Sequence, residues 1–296
     1  MKLSVSLGLW QDRPAAEALV TARAADELGY PELWIGEMAT YDAFALATAI
    51  GLATERIPLT VGPLAVAVRD PAMIAMGVAS VADLTGRQVN VAVGTSSPVV
   101  VEEWHGRERR SSQLRETVEQ LRPLLDGEKS GYRLRLPAPR SEITVAAFGP
   151  RAVKTAALAD RMVLNLVTPA SANRLAAGRT AVWVIAAVDP DQEAVERIRR
   201  GLVGYLAAPG YGEMFAEAGF QDVVDFARTR PHPRDLLQAI PDALLHEIAL
   251  IGGVDEVRER LNAYRVDEIA LVPVSTDADP GGVDTLKMLR YISDGT

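Results

Sequence analysis

The chain is expected to fold as a (β/α)8 TIM barrel, an α/β architecture with a helical insertion after its seventh strand, and three observations lead there. Eight short apolar, β-rich runs alternate with helical segments along 296 residues, and one barrel takes roughly 250 residues. The stretch from Leu59 to His105 reads as strand, helix, strand and loop, which is a βαβ unit. No linker, low-complexity tract or fixed-period repeat divides the chain, so a single domain over 1–296 is expected. The runner-up is a doubly wound protein of two domains.

Taken in order, Leu3 to Gly8 is the first strand. Asp12 is placed to cap a helix with Pro14 near its start, and Ala16, Val20, Ala24 and Leu28 recur at helical spacing until Gly29 stops it. Glu32 to Ile35 is the second strand, Tyr41 to Ala53 an Ala/Leu helix, and Leu59 to Ala67 the third strand. Asp70 caps the third helix with Pro71 at its first position, where a missing N–H costs nothing. Val89 to Val93 is the fourth strand, Pro98 to Arg110 a loop or short helix, and Leu114 to Leu125 carries an amphipathic stripe, ended by Gly127 and Gly131. The fifth strand is Ile143 to Ala147, its helix Pro150 to Ala159, the sixth strand Met162 to Leu166 and the seventh Ala181 to Ala187. About 191–246 is too long for one crossover helix and reads as an insertion of several. Val254 to Tyr264 is a helix, Glu268 to Pro273 the eighth strand and Val283 to Tyr291 a closing helix.

Composition narrows the function. Basic residues number 31 against 39 acidic, a net charge of −8, with no basic stripe, so nucleic acid is not an expected partner. No apolar run approaches the ~20 residues of a membrane span, and MKLSVSLGL lacks a signal-peptide layout, so a cytoplasmic protein is expected. There is no cysteine, which excludes disulfides, thiolate nucleophiles and cysteine-held metal. His105, His232 and His246 are too scattered to suggest a metal site, and none is expected.

Three segments stand out at the carboxyl ends of strands, where α/β folds bind ligands. Gly62-Pro63 interrupts a central strand, where proline removes a ladder hydrogen bond; a bulge or a cis peptide resolves this, and an ordinary trans turn is the plainer alternative. Gly94-Thr95-Ser96-Ser97 follows the fourth strand directly and offers amides and hydroxyls to a cofactor, or serves only as a turn. Phe148-Gly149-Pro150-Arg151 opens a helix, either to hold a phosphate or simply to start it.

The succession LGYPELWIGE, ERIPLTVGPLAVAVRDPAMIAM, LTGRQVNVAVGTSSPVVVEEWHGR and VAAFGPRAVKTAALADRMVLNLVTP, with YGEMFAEAGF and ALIGGVDEVRERLNAYRVDEIALVP later, resembles the luciferase-like monooxygenase superfamily, most closely its deazaflavin (coenzyme F420)-dependent branch. The resemblance implies a barrel that holds a flavin or deazaflavin at the carboxyl ends of its strands, against a third-strand bulge whose cis peptide would fall at Gly62-Pro63. In sugar-phosphate dehydrogenases of that branch a His follows the acidic residue after the second strand and a Glu ends the strand-four loop. Here Met38 and Ser97 stand there, and neither relays a proton.

The resulting expectation is an oxidoreductase that moves a hydride between deazaflavin and a small organic substrate. Glu37 and His105 are its candidate polar or proton-handling groups; the cofactor contacts are Gly62, Pro63, Gly94, Thr95, Ser96, Ser97, Gly149, Pro150 and Arg151. Glu37 has a second reading as a surface carboxylate or a partner of Arg69 or Arg107, and His105 as a solvated histidine. Tyr41 and Trp104 are candidate pocket walls, Tyr205, Tyr211 and Phe215 a candidate lid, and Arg69, Arg107, Arg109, Arg110 and Arg151 candidate anion contacts. The rivals are an FMN-dependent monooxygenase and a member that binds flavin without turnover. A homodimer is left open.

Overall fold

The computed structural model describes residues 1–7, 13–37, 40–128 and 133–294. Its strands are β1 (Lys2–Ser6), β2 (Leu33–Ile35), β3 (Leu59–Ala65), β4 (Val89–Gly94), β5 (Ile143–Ala146), β6 (Arg161–Asn165), β7 (Thr180–Val188), β8 (Ala249–Gly252) and β9 (Glu268–Pro273), all paired in parallel. β1 to β7 neighbour one another in order, and β9 pairs with both β7 and β1, which closes an eight-stranded barrel. The expected eighth strand is therefore the closing one. β8 is an addition the sequence reading did not contain: β7 outruns β6, and β8 pairs with the overhang from Ile185 to Val188. Four residues, Ala249 to Gly252, are too few to display a period.

Helices alternate with these strands: α1 (Ala15–Glu27), α2 (Ala43–Ala53), α3 (Pro71–Thr85), α4 (Gln113–Asp126), α5 (Pro150–Ala156) and α6 (Pro169–Leu175). The insertion expected over 191–246 is α7 (Gln192–Leu202), α8 (Tyr211–Phe215), α9 (Gln221–Arg228), α10 (Pro233–Ala239) and α11 (Asp242–Ile248), before α12 (Val254–Ala263) and α13 (Val283–Asp294). Asp70 caps α3 by accepting from the Ala72 N–H, Pro71 follows, and Gly86 ends the helix in the left-handed region. Asp12 lies outside the described residues; Pro14 stands at the α1 cap position without a side-chain bond. The buried face of α1 is Thr21, Ala22, Ala24, Ala25 and Asp26; of the stripe read from the sequence it keeps Ala24, with Leu28 packed against the core, and leaves Ala16 and Val20 exposed. The cause is Asp26, whose carboxylate accepts the backbone N–H groups of Glu55, Arg56 and Ile57 and so turns the helix toward that corner. No helix among the described residues is long and apolar enough to cross a membrane.

Side chains alternate in and out along each strand, so β1 sends Ser4 and Ser6 inward and β9 sends Glu268 with them. At the amino end of the barrel Arg161 is buried and donates to Glu32 at 2.7 and 2.8 Å and to Glu268 at 2.8 Å, while its guanidinium lies 4.1 Å from the Trp34 ring centroid. Trp34 Nε1 donates to Ser4 Oγ and to Glu268, both at 3.1 Å. Burial alone would raise the Glu32 carboxyl, but the hydrogen bond and charge of Arg161, with Lys2, hold it well below the usual carboxylate range. Beneath lies a cavity of about 610 Å³ whose charged wall is largely self-paired, Lys2 with Glu32 and Arg179 with Glu142. In barrels this end serves stability.

Candidate functional site

The other end of the barrel gathers the segments singled out above. β3 and β4 slip register between Val61 and Leu64, and the Gly62-Pro63 peptide inside that bulge is cis. Gly62 has φ +116°, and a Cβ there would lie 2.2 Å from the Ala92 carbonyl oxygen, so only glycine fits. One strand over, a Cβ on Gly94 would stand 3.7 Å from Pro63 Cβ and 3.1 Å from Ala146 Cβ. Pro63, Gly94 and Ala146 thus form a floor of small groups across β3, β4 and β5.

Around that floor the polar groups face solvent. Thr95, Ser96 and Ser97 are exposed; Ser96 sits at φ +56°, and Ser97 Oγ accepts the Val100 N–H at 3.3 Å. Beyond β5, Gly149 adopts φ +95° with open space where a side chain would be, Pro150 starts α5, and the exposed Arg151 has no side-chain partner among the described residues. Phe148 stacks on Tyr211 of α8, with ring centroids 4.3 Å apart and planes 7° from parallel. Tyr205 meets Tyr211 edge-on at 4.9 Å, and Phe215 lies 6.4 Å from it, so the three aromatics of the insertion cap the β5 and β6 ends. The Tyr211 hydroxyl donates to the Asn165 carbonyl at 3.1 Å, and burial pushes its pKa up.

Glu37 takes the paired reading. Arg69 forks it, donating through Nε at 2.8 Å and through Nη2, and reaches Asp42 as well; the Ala43 N–H adds a longer contact at 3.3 Å. The hydrogen bond to Glu37 outweighs partial burial and raises the Arg69 pKa, so Arg69 is committed and is not free to hold an anion. Met38 lies outside the described residues. His105 ends a wide turn over Val99–Trp104 and is exposed, as are Arg107 and Arg109, and Trp104 keeps 51% of its surface in solvent rather than walling a pocket. Arg110 pairs with Glu116.

A cavity of about 470 Å³, open to solvent, lies on the opposite side of the mouth between α1, α7 and the ends of β1, β7 and β9. Inward-facing Ser6, Ile185 and Val272 contribute to it, and Tyr41 lines it as expected. Its rim is charged: Arg13 donates to Glu17 at 2.6 and 2.7 Å and to Asp277 at 3.0 Å, Ser275 donates to Glu17 at 2.6 Å, and Arg197 pairs with Glu193. Arg200, exposed on the same rim, has no partner among the described residues. The sequence reading missed this cavity. A serine at the end of an inward-facing strand was its one local signal.

The family model described as luciferase-like monooxygenase matches residues 4–268. A Mycobacterium tuberculosis protein bearing the name of a coenzyme F420-dependent oxidoreductase is 23% identical, over 93% of this chain and 95% of its own. Among solved structures, the coenzyme F420-dependent tetrahydromethanopterin reductase of Methanopyrus kandleri superposes with a TM-score of 0.79 at 14% identity, covering 98% of each chain. The oxygenating constituent of 3,6-diketocamphane monooxygenase from Pseudomonas putida, a type II Baeyer-Villiger enzyme in complex with FMN, superposes at 0.70 with 15% identity, over 98% of this chain and 96% of its own.

Proposed function

The chain belongs to the luciferase-like monooxygenase family, and from that premise we propose that it is an F420-dependent oxidoreductase moving a hydride between the deazaflavin and a small organic substrate. The names of the mycobacterial relative and of the methanogen reductase support this reading. The observation that carries it is the floor of Pro63, Gly94 and Ala146, with Arg151, whose side chain has no partner among the described residues, in the first turn of α5 after β5. A flat ring system needs a surface without protruding side chains, and a phosphate with an anionic tail needs a cation that no carboxylate has already taken.

The deazaflavin, when bound, supplies the hydride chemistry. The chain does the rest. Gly62 and Pro63 shape the floor, Gly94 keeps it flat, and Thr95, Ser96 and Ser97 present amides and hydroxyls to polar ring atoms. Gly149 and Arg151 would receive the phosphate end, with Pro150, which has no N–H to donate, fixing the start of α5 that presents them. Glu37, forked by Arg69, places a charge at the β2 end, and His105 is the free group left to carry a proton.

One observation favours FMN instead. Arg107 and Arg109 share their exposed loop with Glu102, Glu103 and Glu108, and if these cancel, Arg151 alone suits a single phosphate. Anaerobic titration with each cofactor decides. The F420 reading expects tighter binding of F420 than of FMN, with the gap narrowing as salt screens the tail contacts. Equal or tighter FMN binding supports the monooxygenase, and binding without turnover supports a non-catalytic member.

A second copy of the chain has a suitable face on α3. Met73 and Met76 are exposed there, no charged residue lies between Pro71 and Ala82, and the exposed Leu84 follows the exposed Asp83. This is the surface we assign to a homodimer.

A further inference from the structure

The cavity between α1 and α7 has a chemical character that the family assignment does not supply. Most of its lining is aliphatic, with Ile185, Ile198, Val203 and Val272 among the walls, and about 470 Å³ is room for a small molecule rather than for solvent alone. Of the polar groups on that lining, Thr21 and Ser275 bond to neighbours, and two others stand out. Ser6 is fully buried at the end of β1, and its Oγ has no hydrogen-bond partner among the described residues. A buried hydroxyl left unpaired carries a desolvation cost, which a water or a polar group of a ligand would relieve. At the rim, Arg13 and Arg197 are each taken by carboxylates, whereas Arg200 faces the opening with none.

We propose that this cavity is the substrate chamber and that it takes an apolar molecule bearing one anionic group, with the Ser6 hydroxyl bonding a polar atom inside and Arg200 holding the anion at the entrance. The identification as a substrate chamber rests on the oxidoreductase reading above; the ligand chemistry rests on the cavity itself. A neutral apolar molecule would leave Arg200 unused, and a cation would be repelled by it. A guanidinium binds a carboxylate or a phosphate through paired N–H donors, so either anion class fits.

The test uses the whole chain without cofactor and calorimetric titration with decanoate, decylphosphate, decan-1-ol and decylamine. The proposal expects both anions to bind, the alcohol to bind more weakly and the amine least. Arg200→Ala should weaken the anions by about tenfold, the size of a lost charge-assisted contact, and leave the alcohol unchanged. Arg200→Glu should reverse the order of anion and amine, which a merely structural arginine would not do. Gly204→Phe, at an exposed lining position outside the positive-φ glycines, should fill the chamber and abolish binding of all four probes. Ile198→Trp is the second filling variant, and thermal unfolding reports that each variant folds. Anion binding unaffected by Arg200→Ala, binding that survives both filling variants in folded protein, or no binding of either anion would overturn the proposal. F420 titration of the filled variants keeps the two readings apart: F420 binding retained while the probes are lost supports the chamber, and failure of the wild type to bind F420 would sink the cofactor reading while leaving the anion site standing.

Discussion

A side chain on Gly94 would begin 3.7 Å from the Cβ of Pro63, so the proline of the β3 bulge and the glycine ending β4 form one continuous surface. Gly94→Val should raise that surface by two methyl groups. Because Ala146 Cβ is only 3.1 Å from the new Cβ, the crowding should cost about 1–3 kcal/mol of stability. F420 affinity should fall by more than about tenfold, as expected when a ligand can no longer approach the backbone. Fluorescence titration of F420, with thermal unfolding as control, checks both figures. Unchanged affinity in a folded variant would place the ring elsewhere.

Glu37 and His105 separate by what holds them. Glu37 is partly exposed and paired, so Glu37→Gln should change stability by no more than about 1 kcal/mol. If its charge acts on the reaction, turnover should drop while F420 affinity stays. His105→Gln touches no described contact, so stability should not move, and proton transfer through it predicts a loss of about 100-fold or more in kcat. Steady-state kinetics with KM and kcat resolved decides, and kcat unchanged in both variants would strip both residues of a role.

The acid limb of stability should belong to the Arg161 cluster at the amino end of the barrel. Glu32 has its folded pKa depressed, so the stabilisation is fully present above the unfolded carboxylate value of about 4.3 and is lost as pH falls through the lower folded value. Arg161→Met leaves Glu32 and Glu268 buried with Lys2 as their nearest cation. It should cost about 3–5 kcal/mol near pH 7, and less at pH 4, where Glu32, no longer held low by Arg161, can take up a proton. Urea unfolding at the two pH values checks the sign. An equal loss at both would deny the ionic account.

The dimer face is tested by charge. Met76→Asp on the outer side of α3 should convert a dimer to monomer in sedimentation without lowering Tm by more than a few degrees, since Met76 is already 38% exposed. A wild-type monomer would remove the assignment.

The β3 bulge and the start of α3 were legible because their signals are local. A proline inside a central strand had to be accommodated, and Gly62 with its crowded Cβ position shows how. Asp70 and Pro71 carried their cap on the chain's surface chemistry alone. What stayed hidden depends on contacts distant in sequence. The face of α1 is fixed by Asp26 reaching residues 55 to 57, which no count of apolar residues reports. The choice of Arg69 over Arg107 as partner of Glu37 needed the β2 and β3 ends side by side. Ser6 and Arg200 came to line one cavity only once β9 closed the barrel between β1 and β7.

The central claim, that F420 is held across the ends of β3, β4 and β5, is tested most directly by amide hydrogen exchange of the whole chain with and without saturating F420. The account predicts slowed exchange at 61–66, 94–100 and 148–153, with a smaller change at 197–204 on the far wall of the substrate chamber. Protection confined to 13–21 and 197–204, or no protection at any of these segments, would contradict it.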